Sequence, residues 1–292
     1  MPDTNSYIRL LRPSQWIKNF FVFAPLVFSR NLFQPKPFLQ ALQGFAAFCL
    51  ISSSVYVLND IFDRDADRAH PIKRNRPIAS GKVTISAGII WSTILFVTAV
   101  AIAFFLPTNF LSIVVLYFVI QFLYSLILKE IVILDLFIIA AGFMLRVIGG
   151  AEVINVQVSS WIILCTMFLS LFLAVAKRRG ELVLSKEISG TVMRKVLREY
   201  SVEFINHVMM ITATGMAISY ALYTVAGRTV IVFGTEKLIF TTIFVLFGIF
   251  RYLYLVLHKN MGENPVTILA KDLPTLINLS LWFLTCLVII YR

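Results

Sequence analysis

The chain is poor in charged residues, cysteine and histidine. Charged residues make up only 14% of its 292 residues, whereas a soluble domain carries about 25%. Its three cysteines and three histidines are scattered, so their spacing predicts neither a zinc nor an iron site. The composition therefore argues against a soluble domain and against a Cys/His metal centre.

Acidic residues are scarce as well, which leaves the chain strongly basic. There are 15 Asp and Glu residues against 26 Lys and Arg, for a net charge of +11. In a chain that is 59% hydrophobic, such an excess is typical of loops that lie against anionic lipid headgroups. We therefore expect membrane lipids as partners and no nucleic acid.

Long apolar runs occupy most of the sequence. Each has about the 20 residues that a helix needs to cross a bilayer, and the polar N-terminus predicts no cleavable signal peptide. We predict an all-α, polytopic membrane protein that forms one transmembrane domain over residues 1–292. The nine predicted transmembrane helices are 13–30, 37–60, 83–106, 108–127, 132–151, 158–177, 202–225, 236–257 and 273–291.

The distribution of positive charge predicts the orientation. Two long polar loops, 61–82 and 178–201, follow the second and sixth predicted spans, and most of the 26 Lys and Arg residues lie on their side. Because cytoplasmic loops are enriched in Lys and Arg, we expect a cytoplasmic N-terminus, an external C-terminus and a location in the plasma (inner) membrane. Both loops would then contribute to an active site that faces the cytoplasm.

The most unusual segment closes the second predicted span. Four of the 15 acidic residues lie within residues 60–67, and a continuous helix with about 100° per residue places all of them except Asp65 on one face. Converging carboxylates repel each other unless a cation neutralises them, and Mg²⁺ binds carboxylates while keeping phosphate oxygens in its shell. The alternative is a solvated, salt-bridged helix end. The predicted Mg²⁺ ligands are Asn59, Asp60, Asp63 and Asp67, of which the three aspartates are the predicted catalytic residues.

A run of cations follows the acidic segment. It occupies residues 73–76 between two prolines, which limit its freedom. Guanidinium groups match phosphate oxygens in bidentate fashion, and the neighbouring carboxylates favour phosphate binding over the positive-inside rule alone. The predicted phosphate-binding residues here are Lys73, Arg74 and Arg76.

Other polar residues extend the set of substrate-binding candidates. Arg146 lies inside a predicted span, where an arginine faces either a polar cavity or a partner, and pairing with Asp135 or Glu152 is the competing explanation. Gly149 and Gly150 fit close helix packing. Around Trp16, the polar residues Arg12, Lys18 and Asn19 fit either anchors at the membrane interface or a further phosphate contact. The further substrate-binding candidates are Lys18, Tyr124, Lys129, Arg146, Lys177, Arg178 and Glu181.

The motif Asn59-Asp60-x-x-Asp63-x-x-x-Asp67, together with nine predicted spans and a second polar loop, resembles the UbiA superfamily of intramembrane prenyltransferases. In that superfamily, this motif and a second Asp-rich loop hold Mg²⁺ on a diphosphate. The resemblance therefore implies Mg²⁺ as the cofactor and a UbiA-like bundle with a lateral lipid cavity. The chain departs from the family's second motif, Asp-x-x-x-Asp, because Lys177-Arg178-x-x-Glu181 stands in its place.

Four further stretches resemble one branch of that superfamily, the polyprenyl-phosphate phosphoribosyltransferases. The resemblance implies transfer of 5-phosphoribose from phosphoribosyl diphosphate (PRPP) to a polyprenyl phosphate such as decaprenyl phosphate. Diphosphate is released, and the product feeds arabinose-donor and cell-wall synthesis. The stretches are Arg12-Pro13-x-x-Trp16-x-Lys18-Asn19, Asp67-Arg68-x-His70-Pro71-x-Lys73-Arg74-x-Arg76-Pro77, Gly142-Phe143-x-x-Arg146 and Gly262-Glu263-x-Pro265.

Two other functions remain compatible with the sequence. One is transfer of a prenyl group from a prenyl diphosphate to an aromatic acceptor. The other is lipid-phosphate transport, although a transporter is expected to place its charges near the bilayer midplane. Phosphoribosyl transfer must accommodate two further anions, the ribose 5-phosphate and the lipid phosphate, which favours the cations at 177–179. The oligomeric state stays open, and a homo-oligomer is compatible with the sequence.

Overall fold

The computed structural model describes residues 4–70, 72–187, 195–259, 261 and 271–292, and these residues form helices and no strand. The predicted all-α class is therefore confirmed. The described residues group into two compact units: unit 1 contains residues 4–27 and 31–157, and unit 2 contains residues 28–30 and those from 158 onwards. The single domain over 1–292 stays a prediction, and each unit is described by itself.

The N-terminal half of the chain supplies seven α-helices and three 3₁₀-helices. The α-helices are α1 (Thr4–Leu11), α2 (Ala24–Phe28), α3 (Pro35–Phe62), α4 (Arg64–Ala69), α5 (Ile85–Phe104), α6 (Thr108–Leu126) and α7 (Leu134–Val153). The 3₁₀-helices are Pro13–Phe23, Lys73–Asn75 and Leu128–Glu130. α3 is the central element of unit 1, because α1, α5, α6, α7 and the first 3₁₀-helix all pack against it.

The described part of unit 2 contains α8 (Ser160–Glu187), α9 (Lys195–Arg198), α10 (Val202–Val225), α11 (Gly227–Phe233), α12 (Thr242–His258) and α13 (Leu273–Tyr291), with a 3₁₀-helix at Lys237–Thr241. Asp272 caps α13: it accepts a hydrogen bond from the Thr275 backbone and binds Arg251 of α12 through both carboxylate oxygens. The Arg251 guanidinium holds the pKa of Asp272 below its usual range, so the capping carboxylate stays ionised.

Eight helices of the described residues are long and apolar enough to cross a membrane, so the predicted count of nine is not confirmed. The first predicted span, 13–30, is a 3₁₀-helix followed by the short α2. Pro25 lies in the interior of the predicted span and lacks an N–H donor, which disfavours one regular α-helix there, whereas Pro13 occupies the first position, where a helix tolerates proline. With a rise of about 2 Å per residue in a 3₁₀-helix, Pro13–Phe28 has a contour length of about 30 Å, close to the thickness of the hydrocarbon core. A crossing by this segment therefore remains a prediction.

The second predicted polar loop, 178–201, also differs from the structure. α8 continues to Glu187, about ten residues beyond the predicted end of the sixth span. Arg178 and Leu182, one turn apart, are both buried, and Arg178 binds Glu181 at 2.7 Å. Because Arg178 and Glu181 pair along the helix, their charges are compatible with α8 continuing through this segment. The first loop, 61–82, contains α4 and a short 3₁₀-helix.

The first 3₁₀-helix approaches α7 closely at Gly150. A Cβ added there would overlap the Val22 carbonyl oxygen and lie 2.8 Å from the Val22 carbonyl carbon. Val22 and the surrounding core side chains Phe48, Phe110 and Val153 are buried. The expected role of the glycines in close packing therefore applies to Gly150, which lets two backbones meet.

We expect Gly150→Ala to destabilise the protein by about 3 kcal/mol, because a backbone carbonyl cannot move aside as a side chain can. Thermal unfolding of the purified protein in detergent measures the loss. Gly227→Ala is the matched control, since nothing lies within 4 Å of a Cβ added at Gly227. An unchanged midpoint for Gly150→Ala would contradict the close backbone approach.

Candidate active site

The wall of the candidate site is formed by the 3₁₀-helix Pro13–Phe23, which runs antiparallel to α3. Arg12 binds Asp60 near the end of α3. Further along, the Trp16 indole donates to Ser53 Oγ at 3.0 Å, and Asn19 contacts Ser52 of the same helix. Trp16 and Asn19 therefore contact α3 about two turns before Asp60.

The acidic segment is divided between two helices. α3 ends at Phe62, and Asp63 has φ −88° and ψ 4° between α3 and α4. The expected continuous helix through Asp67 is therefore wrong. Asp60 and Asp67 are nevertheless brought together, because the Arg76 guanidinium donates to Asp60 at 3.1 Å and to Asp67 at 2.6 Å.

Asp63 has a different set of partners. Lys129 donates to one of its carboxylate oxygens, and the Asn59 amide donates to the other at 3.0 Å. Asp65 is exposed and has no hydrogen bond or ion pair within the described chain. Asp65 is thus exposed while Asp60 and Asp67 are buried, in line with the expected separation of Asp65 from the other aspartates.

Arg12 is a site residue that the sequence left open between an interface anchor and a phosphate contact, and it was not included among the predicted site residues. Its backbone adopts the left-handed conformation, φ 52° and ψ 58°, which costs free energy in a non-glycine residue. Its guanidinium lies over the Tyr56 ring at 5.2 Å and binds Asp60. Burial lowers the pKa of Arg12, and the Asp60 carboxylate opposes that shift. The available signal was its position directly before Pro13.

The donor set of the acidic segment fits a hard divalent cation. Carboxylate and amide oxygens from Asn59, Asp60, Asp63 and Asp67 are the ligand types that Mg²⁺ prefers. Among the described residues, no group of three or more Asp, Glu, His or Cys side chains is close enough to hold a metal ion. Arg12, Arg76 and Lys129 bind these carboxylates instead. The chemistry of the ligands therefore fits Mg²⁺, whereas their spacing is that of a salt-bridge network.

Arg146 lies deep in unit 1 and pairs with neither Asp135 nor Glu152. Its guanidinium donates to Asn19 Oδ1 at 2.7 Å, to the Gly142 carbonyl at 2.7 Å and to Tyr117 Oη at 2.8 Å. The rings of Tyr117, Phe143 and Phe48 lie 4.8, 5.3 and 6.0 Å from its central carbon. Neutral acceptors and aromatic faces, rather than a carboxylate, hold this cation.

The remaining predicted site residues of unit 1 lie at different depths. Arg74 is exposed, whereas Lys73 and Tyr124 are half-buried. Lys18, also half-buried, follows Trp16 on the 3₁₀-helix and has no hydrogen-bond acceptor or ion-pair partner among the described residues. The geometry therefore connects Arg76 and Lys129 directly to the carboxylates, and it shows no such contact for Lys18 or Arg74.

The predicted residues of unit 2 form their own cluster on α8. Glu181 lies 2.7 Å from the Arg178 guanidinium and 3.8 Å from the Lys177 ammonium group. The adjacent Arg179 donates to Asn206 and to the Val256 carbonyl, so its role is to connect α8 to α10 and α12. The stretch Gly262-Glu263-x-Pro265 lies outside the described residues.

We expect Tyr117→Phe to destabilise the protein by about 1–3 kcal/mol, because it removes an acceptor from the buried Arg146 guanidinium. Tyr252→Phe is the matched control: the Tyr252 hydroxyl is buried and has no hydrogen-bond partner among the described residues. Its removal is expected to leave the thermal midpoint unchanged or higher. Equal midpoints for the two variants would show that Tyr117 does not support Arg146.

Comparisons with known proteins identify the family of the chain. The UbiA prenyltransferase family model matches residues 20–271. The decaprenyl-phosphate phosphoribosyltransferase of Mycolicibacterium smegmatis is 36% identical over 220 residues, which cover 74% of this chain and 69% of that protein. The protein of the same name from Mycobacterium tuberculosis is 32% identical over 74% of this chain and 72% of its own length.

A solved structure supports the fold. The UbiA homolog from Archaeoglobus fulgidus bound to DMAPP and Mg²⁺ superposes with a TM-score of 0.74, at 18% identity, over 98% of this chain and 99% of that chain. At this identity the similarity concerns the fold alone, while the family match and the two relatives carry the classification. The chain is a transferase that belongs to the UbiA prenyltransferase family.

Proposed function

We propose that the protein transfers 5-phosphoribose from PRPP to a polyprenyl phosphate such as decaprenyl phosphate. The products are diphosphate and a polyprenylphosphoryl-5-phosphoribose, which serves arabinose-donor and cell-wall synthesis. The names of the two relatives support decaprenyl phosphate as the acceptor and phosphoribose as the transferred group. The observation that carries the proposal is the network at the end of α3, where three cations bind the three aspartates.

The proposed reaction is a substitution at C1 of the ribose. The bond between C1 and the diphosphate oxygen breaks, and its electron pair leaves with diphosphate. An oxygen of the lipid phosphate forms the new bond to C1. Because that phosphate is already ionised at neutral pH, the step needs no strong general base, and the chain has to supply binding, orientation and charge stabilisation.

Mg²⁺, held by Asn59, Asp60, Asp63 and Asp67, would neutralise the charge that develops on the leaving diphosphate. Arg76 and Arg12 can donate paired N–H groups to phosphate oxygens, a geometry that guanidinium groups favour. Lys129 offers a third cation beside Asp63. These three cations already lie next to the carboxylates, so they are suited to bind a diphosphate that the metal also contacts.

We propose that four further cations bind the remaining phosphate groups of the substrates. In unit 1 they are Lys73 and Arg74, which lie on the short 3₁₀-helix that precedes Arg76. In unit 2 they are Lys177 and Arg178, positioned by Glu181 on α8. The proposed location is the plasma membrane, with the carboxylate end of α3 facing the cytoplasm.

The assay that tests the function combines purified protein, Mg²⁺, labelled PRPP and decaprenyl phosphate. We expect labelled lipid to form in proportion to the released diphosphate, and chelation of Mg²⁺ by EDTA to stop both. A reaction with prenyl diphosphate and an aromatic acceptor runs in parallel. Turnover of the prenyl diphosphate without any labelled lipid from PRPP would establish prenyl transfer and reject the proposal. If neither reaction shows turnover, the proposal is also rejected, and lipid-phosphate transport is then measured in vesicles.

We expect Asp63→Asn to reduce Mg²⁺-dependent turnover at least about 100-fold, because a carboxylate that binds the metal becomes neutral. Asp65→Asn is the matched control two residues away, since Asp65 is exposed and unpaired within the described chain; its turnover is expected to stay within about two-fold of wild type. Thermal unfolding confirms that both variants are folded. A near-normal rate for Asp63→Asn would show that Asp63 does not bind the metal. If Asp65→Asn loses as much activity as Asp63→Asn, the two aspartates do not have different roles.

A further inference from the structure

The cations of unit 1 that surround the candidate site fall into two groups. Arg12, Arg76 and Lys129 bind the aspartates of the acidic segment. Lys18 and Arg146 have no carboxylate partner among the described residues. Unlike the exposed Arg74 and Arg68, which also lack a carboxylate partner in the described part of the chain, Lys18 is half-buried and Arg146 is buried, so water compensates their charges less.

Arg146 cannot move towards a carboxylate without breaking its own environment. It is 4% exposed, and three neutral acceptors occupy its donors, among them Asn19 Oδ1. Asn19 is in turn anchored to α3 through Ser52 and Cys49. The charge of Arg146 is thus fixed in place, and its hydrogen bonds do not neutralise it.

Lys18 is the sequence neighbour of Asn19, whose amide oxygen accepts a hydrogen bond from Arg146. It precedes the anchored Asn19, so its backbone position is set while its ammonium group remains available. The charged groups that act on the ammonium most strongly are Arg146 and Arg12, and both repel it. Two positive charges close together in an apolar region raise the free energy of the protein unless an anion binds near them.

The depth of this cationic pair indicates the kind of anion. Asn19 contacts Ser52, which lies eight residues before Asp60 on α3, or about 12 Å along the helix. Lys18 therefore lies further from the end of α3 than the carboxylates that Arg76 bridges. An anion at this depth is best supplied by a molecule with an apolar chain, because a free sugar phosphate has no hydrophobic group to offset the loss of water.

We infer that Lys18, next to the fixed charge of Arg146, binds the phosphate monoester of a polyprenyl phosphate, at a subsite separate from the carboxylates that take the diphosphate. The identity of the lipid rests on the proposed function. The ribose 5-phosphate end of the donor is also a phosphate monoester, so the two sources must be distinguished by experiment. The subsite would hold the attacking phosphate while the carboxylate end of α3 holds the leaving group.

Steady-state kinetics of Lys18→Met distinguish the two sources. We expect the KM for polyprenyl phosphate to rise about ten-fold or more, as for the loss of one charged hydrogen bond, while the KM for PRPP stays within about two-fold. Lys82→Met is the matched control, since Lys82 is exposed and has no partner among the described residues. An unchanged KM for the lipid, or a rise confined to PRPP, would overturn the inference.

Binding without turnover separates this inference from the proposed function. Wild-type protein in nanodiscs is expected to retain labelled polyprenyl phosphate in preference to the uncharged polyprenol. Lys18→Met should lose that preference, whereas Lys18→Arg and Lys82→Met should keep it. If the wild type does not use PRPP, the proposed function fails and this preference still decides the subsite. Equal retention of the two lipids by the wild type rejects the subsite even if transfer from PRPP is observed.

Stability measurements exclude a trivial loss of binding. Lys18→Met removes an unpaired cation, so its thermal midpoint is expected to equal or exceed that of the wild type. Loss of lipid preference in a folded Lys18→Met, with recovery in Lys18→Arg, supports the subsite. If Lys18→Met unfolds, Lys18→Gln replaces it in the same comparison. A folded neutral variant that still prefers polyprenyl phosphate to polyprenol would count against the subsite.

Discussion

The candidate site depends on the Arg76 guanidinium, which binds Asp60 on α3 and Asp67 on α4 across the end of a helix. Both carboxylates are buried, and two such groups on separate helices would repel each other without a shared cation. The loop that carries Arg76 is folded back by its own contacts, including the bond from Arg68 Nε to the Ala79 carbonyl. One cation thus fixes the direction in which the chain leaves α3 and the relative positions of two predicted metal ligands.

Cations in unit 1 are stabilised in two physically different ways. At the end of α3 they bind carboxylates, and an incoming anion or metal ion can compete for those partners. At the depth of Arg146 the acceptors are an amide, a carbonyl and a phenol, which satisfy hydrogen bonds without removing the charge. The first arrangement suits ligands that bring both a metal and a diphosphate. The second keeps a permanent positive charge among apolar side chains.

The acidic segment could be identified as a candidate because all of its predicted ligands lie within nine residues, so the motif is visible without any tertiary contact. The helix break at Asp63 could not be predicted, since the local sequence still fits a helix and Arg76, some distance along the chain, stabilises the turn. The same applies to Arg12: a left-handed residue bound to Asp60 depends on a contact over 48 positions. The end of α8 was missed for a different reason, because charged residues that predict a loop here compensate each other along the helix.

The position of Arg146 shows how packing and charge depend on each other. Gly150, one turn beyond Arg146 on α7, allows the backbone of the first 3₁₀-helix to touch α7 at Val22. That contact brings Asn19 within reach of the guanidinium. Asn19 then restrains the backbone of its neighbour Lys18. The glycine at position 150 of α7 therefore affects the position of Lys18 on the 3₁₀-helix. A motif that pairs Lys18 with Asn19 is therefore understandable as one unit: the amide fixes the depth of the segment, and the ammonium group next to it has no acceptor among the described residues.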